Sequence, residues 1–143
     1  MQTVLIIEDI PSDAAELKRL LESSEIKLEV ITLEPGKGQS FLGAAIEICQ
    51  GKKIGLIFLG RNLTDGKNLE NGFIIAQKIK GLEEGGNIPI ILTGEDPESL
   101  YCSGQYRDFL NYNCYVAGKV IKAFAQEEIE EIVKKFLGVR DGS

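Results

Sequence analysis

Histidine is absent from all 143 residues of this chain, and its three cysteines, Cys49, Cys102 and Cys114, show no Cys-x-x-Cys spacing. A zinc site, a Ser-His-Asp triad and histidine general-base chemistry are thereby excluded. Cys102 and Cys114 read most simply as reduced thiols. No apolar stretch approaches the roughly 18 to 20 residues of a membrane span, and no basic-then-apolar leader precedes the first apolar run. The expectation is a cytoplasmic protein without membrane contact. Cations are also scarce: 16 Lys and Arg stand against 22 Asp and Glu, a net charge of −6. Most of such a surface repels a phosphate backbone, which argues against sequence-independent nucleic-acid binding.

The remaining composition, 43% hydrophobic and 27% charged, is that of a globular domain with a single core. One domain over residues 1–139 is expected, with 140–143 as a short frayed tail. Five apolar runs alternate with amphipathic segments. Val4–Ile7 is short, apolar throughout and rich in β-branched residues, the pattern of a strand buried on both faces. Ser12 or Asp13 is placed to cap the helix that follows, which carries Ala14, Leu17, Leu20 and Leu21 inward. Leu28–Leu33 reads as a second strand. Ser40 caps a second helix with Phe41, Ala44, Ala45, Ile48 and Cys49 on one face, and Gly51 stops it. Ile54–Leu59, free of charge, reads as a central strand.

A long polar connection from Gly60 to Gly72 leads to a helix from Phe73 to about Lys80. Ile88–Thr93 is the fourth strand. A fourth helix of weaker pattern begins at Asp96-Pro97, in a stretch rich in tyrosine (Tyr101, Tyr106, Tyr112, Tyr115) that reads as a packing or partner surface. Val116–Ile121 is the fifth strand. Ile129, Ile132, Val133, Phe136 and Leu137 then follow helical spacing up to Gly138. Five strand–helix units with short connections imply an α/β fold: a doubly wound, flavodoxin-like parallel sheet of order 2-1-3-4-5 with five helices. In that order the ends of strands one and three share a crevice. It receives Glu8, Asp9 and Gly60, with Thr93 and Lys122 on its rim.

These segments resemble the receiver domain of the two-component response-regulator family, over the whole chain. The resemblance rests on Val4-Leu5-Ile6-Ile7-Glu8-Asp9 with Asp13, Leu56-Ile57-Phe58-Leu59-Gly60, Pro89-Ile90-Ile91-Leu92-Thr93-Gly94, and Lys122-Ala123-Phe124. It implies that Glu8 and Asp9 belong to a Mg²⁺-holding acidic pair, and that Thr93 and Lys122 would bind phosphoryl oxygens. It also implies a phosphoacceptor aspartate at position 60, where glycine stands. Further departures are Ala123 in place of a proline that is normally cis, Lys119 in place of a switching aromatic, and a lengthened 60–72 connection.

The expectation is thus a degenerate receiver, or pseudo-receiver: not an enzyme, but an interaction module of two-component or phosphorelay signalling that acts without phosphorylation. The resemblance implies a protein partner, either a histidine kinase or a separate output protein, and a homodimer through the helix 4–strand 5–helix 5 face. An alternative is phosphotransfer through a displaced acid, with Asp65 the candidate; a solvated turn residue in Thr64-Asp65-Gly66 is the plainer reading. No cofactor is expected. With only Asp9, Glu8 through water and a carbonyl near Asn62 as donors, Mg²⁺ binding is expected to be weak or absent. FMN is disfavoured by the carboxylates Glu8, Asp9 and Asp13 in the turn that would face its phosphate. The acidic pair and Lys122 also read as a structural ion-pair cluster, with Lys122 keeping Glu8 and Asp9 ionised. Thr93 reads equally as a strand end.

Overall fold

The computed structural model describes residues 1–95 and 116–138. Five parallel strands form one sheet: β1 (Gln2–Ile7), β2 (Leu28–Thr32), β3 (Leu56–Gly60), β6 (Ile90–Gly94) and β7 (Gly118–Ile121). Their order is β2-β1-β3-β6-β7, the expected 2-1-3-4-5 arrangement, with β3 at the centre. Four helices lie among the described residues: α1 (Pro11–Glu22), α2 (Phe41–Gly51), α3 (Gly72–Lys80) and α4 (Gln126–Leu137). The expected fourth helix, opening at Asp96-Pro97, the tyrosine-rich stretch as far as Tyr115, and the tail all lie outside the described residues.

The apolar strands are buried on both faces because each face has its own helical cover. Leu5, Ile7, Ile57, Leu59, Ile90 and Leu92 pack with α2 and α3. Val4, Ile6, Leu56, Phe58, Ile91 and Val120 pack with α1 and α4. The alternation within each strand follows the two-residue period of side chains, and each fully buried aliphatic or aromatic side chain contributes about 1.5–3 kcal/mol. The helix stripes fall where the spacing puts them. Leu17 and Leu21 of α1, and Ile129, Val133 and Leu137 of α4, are buried.

Two local expectations need correction. Helix α1 is not capped by Ser12 or Asp13: Ile10 is its N-cap, no side chain bonds there, and Pro11 is the first helical residue. Proline suits that position because its missing N–H would have no helical partner anyway. The second correction is larger. The 60–72 connection is not an irregular loop, since β4 (Asn62–Thr64) and β5 (Leu69–Asn71) pair antiparallel within it. The Asp65 carboxylate closes the turn by accepting from the backbone N–H groups of Lys67 and Asn68, each at 2.8 Å. Gly66 supplies the positive φ of 96°.

Strand register sets the site. Ile7 lies opposite Leu59, so Glu8 and Gly60 emerge side by side. Gly60 pairs with Thr93, and Thr93 with Val120, two residues before Lys122.

Candidate functional site

At the carboxyl ends of β1 and β3, where strand order reverses, lies a cavity of about 280 Å³. Glu8, Asp9, Gly60, Thr93 and Lys122 all line it. The register brings together every residue that the sequence places at this crevice, and side-chain geometry then divides them.

Glu8 is the hub. It is only 7% exposed, and its Oε1 lies 3.0 Å from Lys122 Nζ and accepts the Thr93 hydroxyl at 3.3 Å. Its Oε2 accepts the Ile10 backbone N–H at 3.2 Å, which fastens the start of α1. Lys122 Nζ also lies 2.9 Å from Asp13 Oδ2, so one ammonium bridges two carboxylates. Burial pushes the Glu8 carboxyl above its ordinary value, Lys122 pulls it down, and the adjacent Asp9 raises it further. Burial works to lower Lys122, yet its hydrogen bonds to Asp13 and Glu8 outweigh that and hold the ammonium above the ordinary lysine value.

Asp9 lines the same cavity and raises the Glu8 carboxyl, and it also reaches out of the cluster. Its Oδ2 accepts the Thr64 backbone N–H at 3.0 Å, tying β1 to the β4–β5 hairpin. Asp13, on the first turn of α1, is the second carboxylate that Lys122 pairs with. Thr93, one residue before the end of β6, bonds Glu8, so its hydroxyl is committed within the cluster.

The side-chain position of residue 60 is already filled. A Cβ on Gly60 would lie 2.9 Å from Leu63 Cδ2 and 3.5 Å from Glu8 Oε1. Leu63, in β4, is completely buried. Gly72 permits the return of the chain at this level, since a Cβ there would meet the Gly60 carbonyl oxygen at 2.3 Å.

Three contributors escape a reading of the sequence. Arg61 lies in a polar stretch but is only 3% exposed, because its N–H bonds the Thr93 carbonyl at 3.1 Å and extends the β3–β6 ladder. Its guanidinium lies over the Phe73 ring, 5.4 Å from the centroid, and its side chain also donates to Asn62 Oδ1. Leu63 is a single apolar residue with no periodic neighbours. Glu70 reaches from β5 to the N-terminus of α2, where its carboxylate accepts from Phe41 N at 2.7 Å and Leu42 N at 2.9 Å. The only sequence cue to that contact is the generic preference of helix N-termini for acids.

Asp65 sits at the hairpin tip and does not line the cavity. The N–H groups of Asn68 and Lys67 hold its carboxyl below the ordinary aspartate value. Lys119 is exposed, as expected for a lysine at that position. The Lys122–Ala123 peptide is cis although residue 123 is not proline. For a divalent ion the donor set is poor. Both oxygens of Glu8 and one of Asp9 are already engaged, and an ammonium sits against Glu8. No group of three or more acidic, histidine or cysteine side chains suited to a metal occurs among the described residues. Nor is any helix among them long and apolar enough to cross a membrane.

Comparison with known proteins shows where this architecture recurs. The sequence matches no protein-family model and no curated protein. The fold does match solved structures. A two-component response regulator from Clostridium difficile is 23% identical, with a TM-score of 0.69 and 96% of each chain covered. The response regulator TrrA from Thermotoga maritima, solved with Mg²⁺ and BeF, is 23% identical, with a TM-score of 0.68 over 96% of this chain and 100% of that one. A sensor protein from Polaromonas sp. JS666 is 15% identical, with a TM-score of 0.73 over 94% of each chain. The chain therefore has the response-regulator receiver fold.

Proposed function

We propose that this receiver-fold chain is a pseudo-receiver: a protein-interaction module of two-component or phosphorelay-type signalling that works without being phosphorylated and is not an enzyme. One observation carries the reading. The position at which a receiver would take a phosphoryl group is a glycine whose side-chain space is occupied by the buried Leu63. A glycine offers no nucleophilic oxygen, and any side chain there must first displace the tip of Leu63.

The ion cluster supports the same reading. Mg²⁺ favours octahedral oxygen ligands, one or two of them carboxylates, with water and phosphate completing the shell. Here Lys122 already balances Glu8 and Asp13, and Asp9 serves the hairpin. The module accordingly works without a resident metal or cofactor. Its partner is a protein, either a histidine kinase or a separate output protein, and a homodimer is the other use of the same surface. The proposed contact face includes the exposed sides of β7 and α4.

Incubation with acetyl phosphate and Mg²⁺ tests the proposal. The intact mass should stay unchanged. A gain of one phosphate that mild hydroxylamine removes would overturn it, and tandem mass spectrometry would then show whether Asp65 carries the group.

A further inference from the structure

The hairpin is held from both sides by carboxylates that belong to distant elements. On one side Asp9 Oδ2 accepts from Thr64 N at 3.0 Å. On the other, Glu70 grips the first two N–H groups of α2 at 2.7 and 2.9 Å, while Ser40 Oγ takes the third, from Gly43, at 2.9 Å. Glu70 and Leu63 are register partners across the hairpin, and Thr64 is the next residue along β4. The two grips are therefore one rung apart. Between them Leu63 points inward, with Cδ2 2.9 Å from where a Cβ of residue 60 would be.

We propose that β4–β5 is a two-latch strap over the switch-point crevice, with Leu63 as its stopper and Asp9 and Glu70 as its latches. A hairpin of two three-residue strands has too little pairing to stand alone, so its position depends on what fastens it. Each latch is a hydrogen bond to a charged acceptor, and each spans a long stretch of sequence, 55 residues for Asp9–Thr64 and 29 for Glu70–Phe41. Because β4 and β5 share their ladder, releasing either latch loosens the other. The strap thus couples the N-terminus of α2 to the acidic turn after β1, and Leu63 leaves Gly60 when the strap lifts. This coupling does not depend on whether the module signals without phosphate.

Amide hydrogen exchange of the full chain by NMR tests the strap, comparing wild type with Glu70→Ala and Asp9→Ala. Exchange is read at Thr64, Phe41 and Leu42 as a ratio to Ile57, whose N–H on the central strand β3 bonds Pro89 O and reports global opening. Glu70→Ala should speed exchange at Thr64 as well as at Phe41 and Leu42. Asp9→Ala should speed Phe41 and Leu42 as well as Thr64. A change of about tenfold or more is expected at the remote latch, the factor that one hydrogen bond to a charged group represents. Acceleration confined to the mutated latch in either variant, or an unchanged ratio at every site, overturns the proposal.

Discussion

Replacing Lys122 by methionine removes the cation and keeps most of the stem, which isolates the role of charge in the cluster. The Glu8 side chain is 3% exposed and that of Lys122 13%, so the variant leaves a carboxylate sealed without its counter-ion. Breaking one partner of a buried pair costs about 3–5 kcal/mol. Glu8 keeps its bonds from Thr93 and Ile10, which places this case near the lower figure, about 3 kcal/mol. The Asp13 side chain is 30% exposed and rehydrates, adding at most about 1 kcal/mol. At roughly 2–4 °C per kcal/mol for a chain of this size, Tm should fall by about 6–16 °C.

Urea denaturation followed by far-UV circular dichroism measures the loss. Without the pull of Lys122, the Glu8 carboxyl rises further above its ordinary value. Acid therefore protonates Glu8 in the folded state and removes the unpaired charge. The deficit should be smaller near about pH 5 than near about pH 8. Adding Glu8→Gln should recover most of the loss, since no buried charge then lacks a partner. A Lys122→Met variant as stable as wild type refutes the reasoning. So does a deficit that persists undiminished both in acid and in the Glu8→Gln background.

Gly60→Ala should lower stability by about 1–3 kcal/mol through overpacking against Leu63, visible as a lower urea midpoint at constant m; an unmoved midpoint would mean that Leu63 yields freely. Glu8 binds its proton more tightly in the folded chain than in the unfolded one, where the ordinary value is 4.5. Its contribution to stability therefore decreases as pH rises from that value through the raised folded one, and the stability difference between wild type and Glu8→Gln should decline over that window. Cys49 is 2% exposed, and burial, with the Glu84 charge, pushes its thiol up to about 11. Iodoacetamide near about pH 8 should alkylate it only in denaturant, as read by peptide mass spectrometry, and equal labelling of the native chain would contradict its burial.

The strands and helices were legible because their signals are local and redundant. Leu17 and Leu21, or Ile129, Val133 and Leu137, announce a helix face by spacing alone. The uncharged run Leu56–Leu59 announces a strand covered on both sides. The hairpin was not legible because three-residue strands are too short to show a period, and Asp65-Gly66 looks the same in an open loop as in a closed turn. Arg61 was hidden for a related reason. Its burial follows from a ladder bond to Thr93 that sequence spacing does not reveal.

Sequence by itself determined the parallel sheet, its order and the residue types at each strand end, since hydrophobic period, turn chemistry and crossover handedness leave few alternatives. It also determined that position 60 has no acceptor oxygen. Only the tertiary structure decided how the charges pair: Lys122 takes Asp13 rather than Asp9, and Asp9 turns to the hairpin. Only the tertiary structure filled the space beside Gly60 with Leu63 and fastened Glu70 to α2. Those choices depend on contacts between segments far apart in the chain, where angstrom-scale packing, rather than composition or periodicity, selects one partner among several of the same charge.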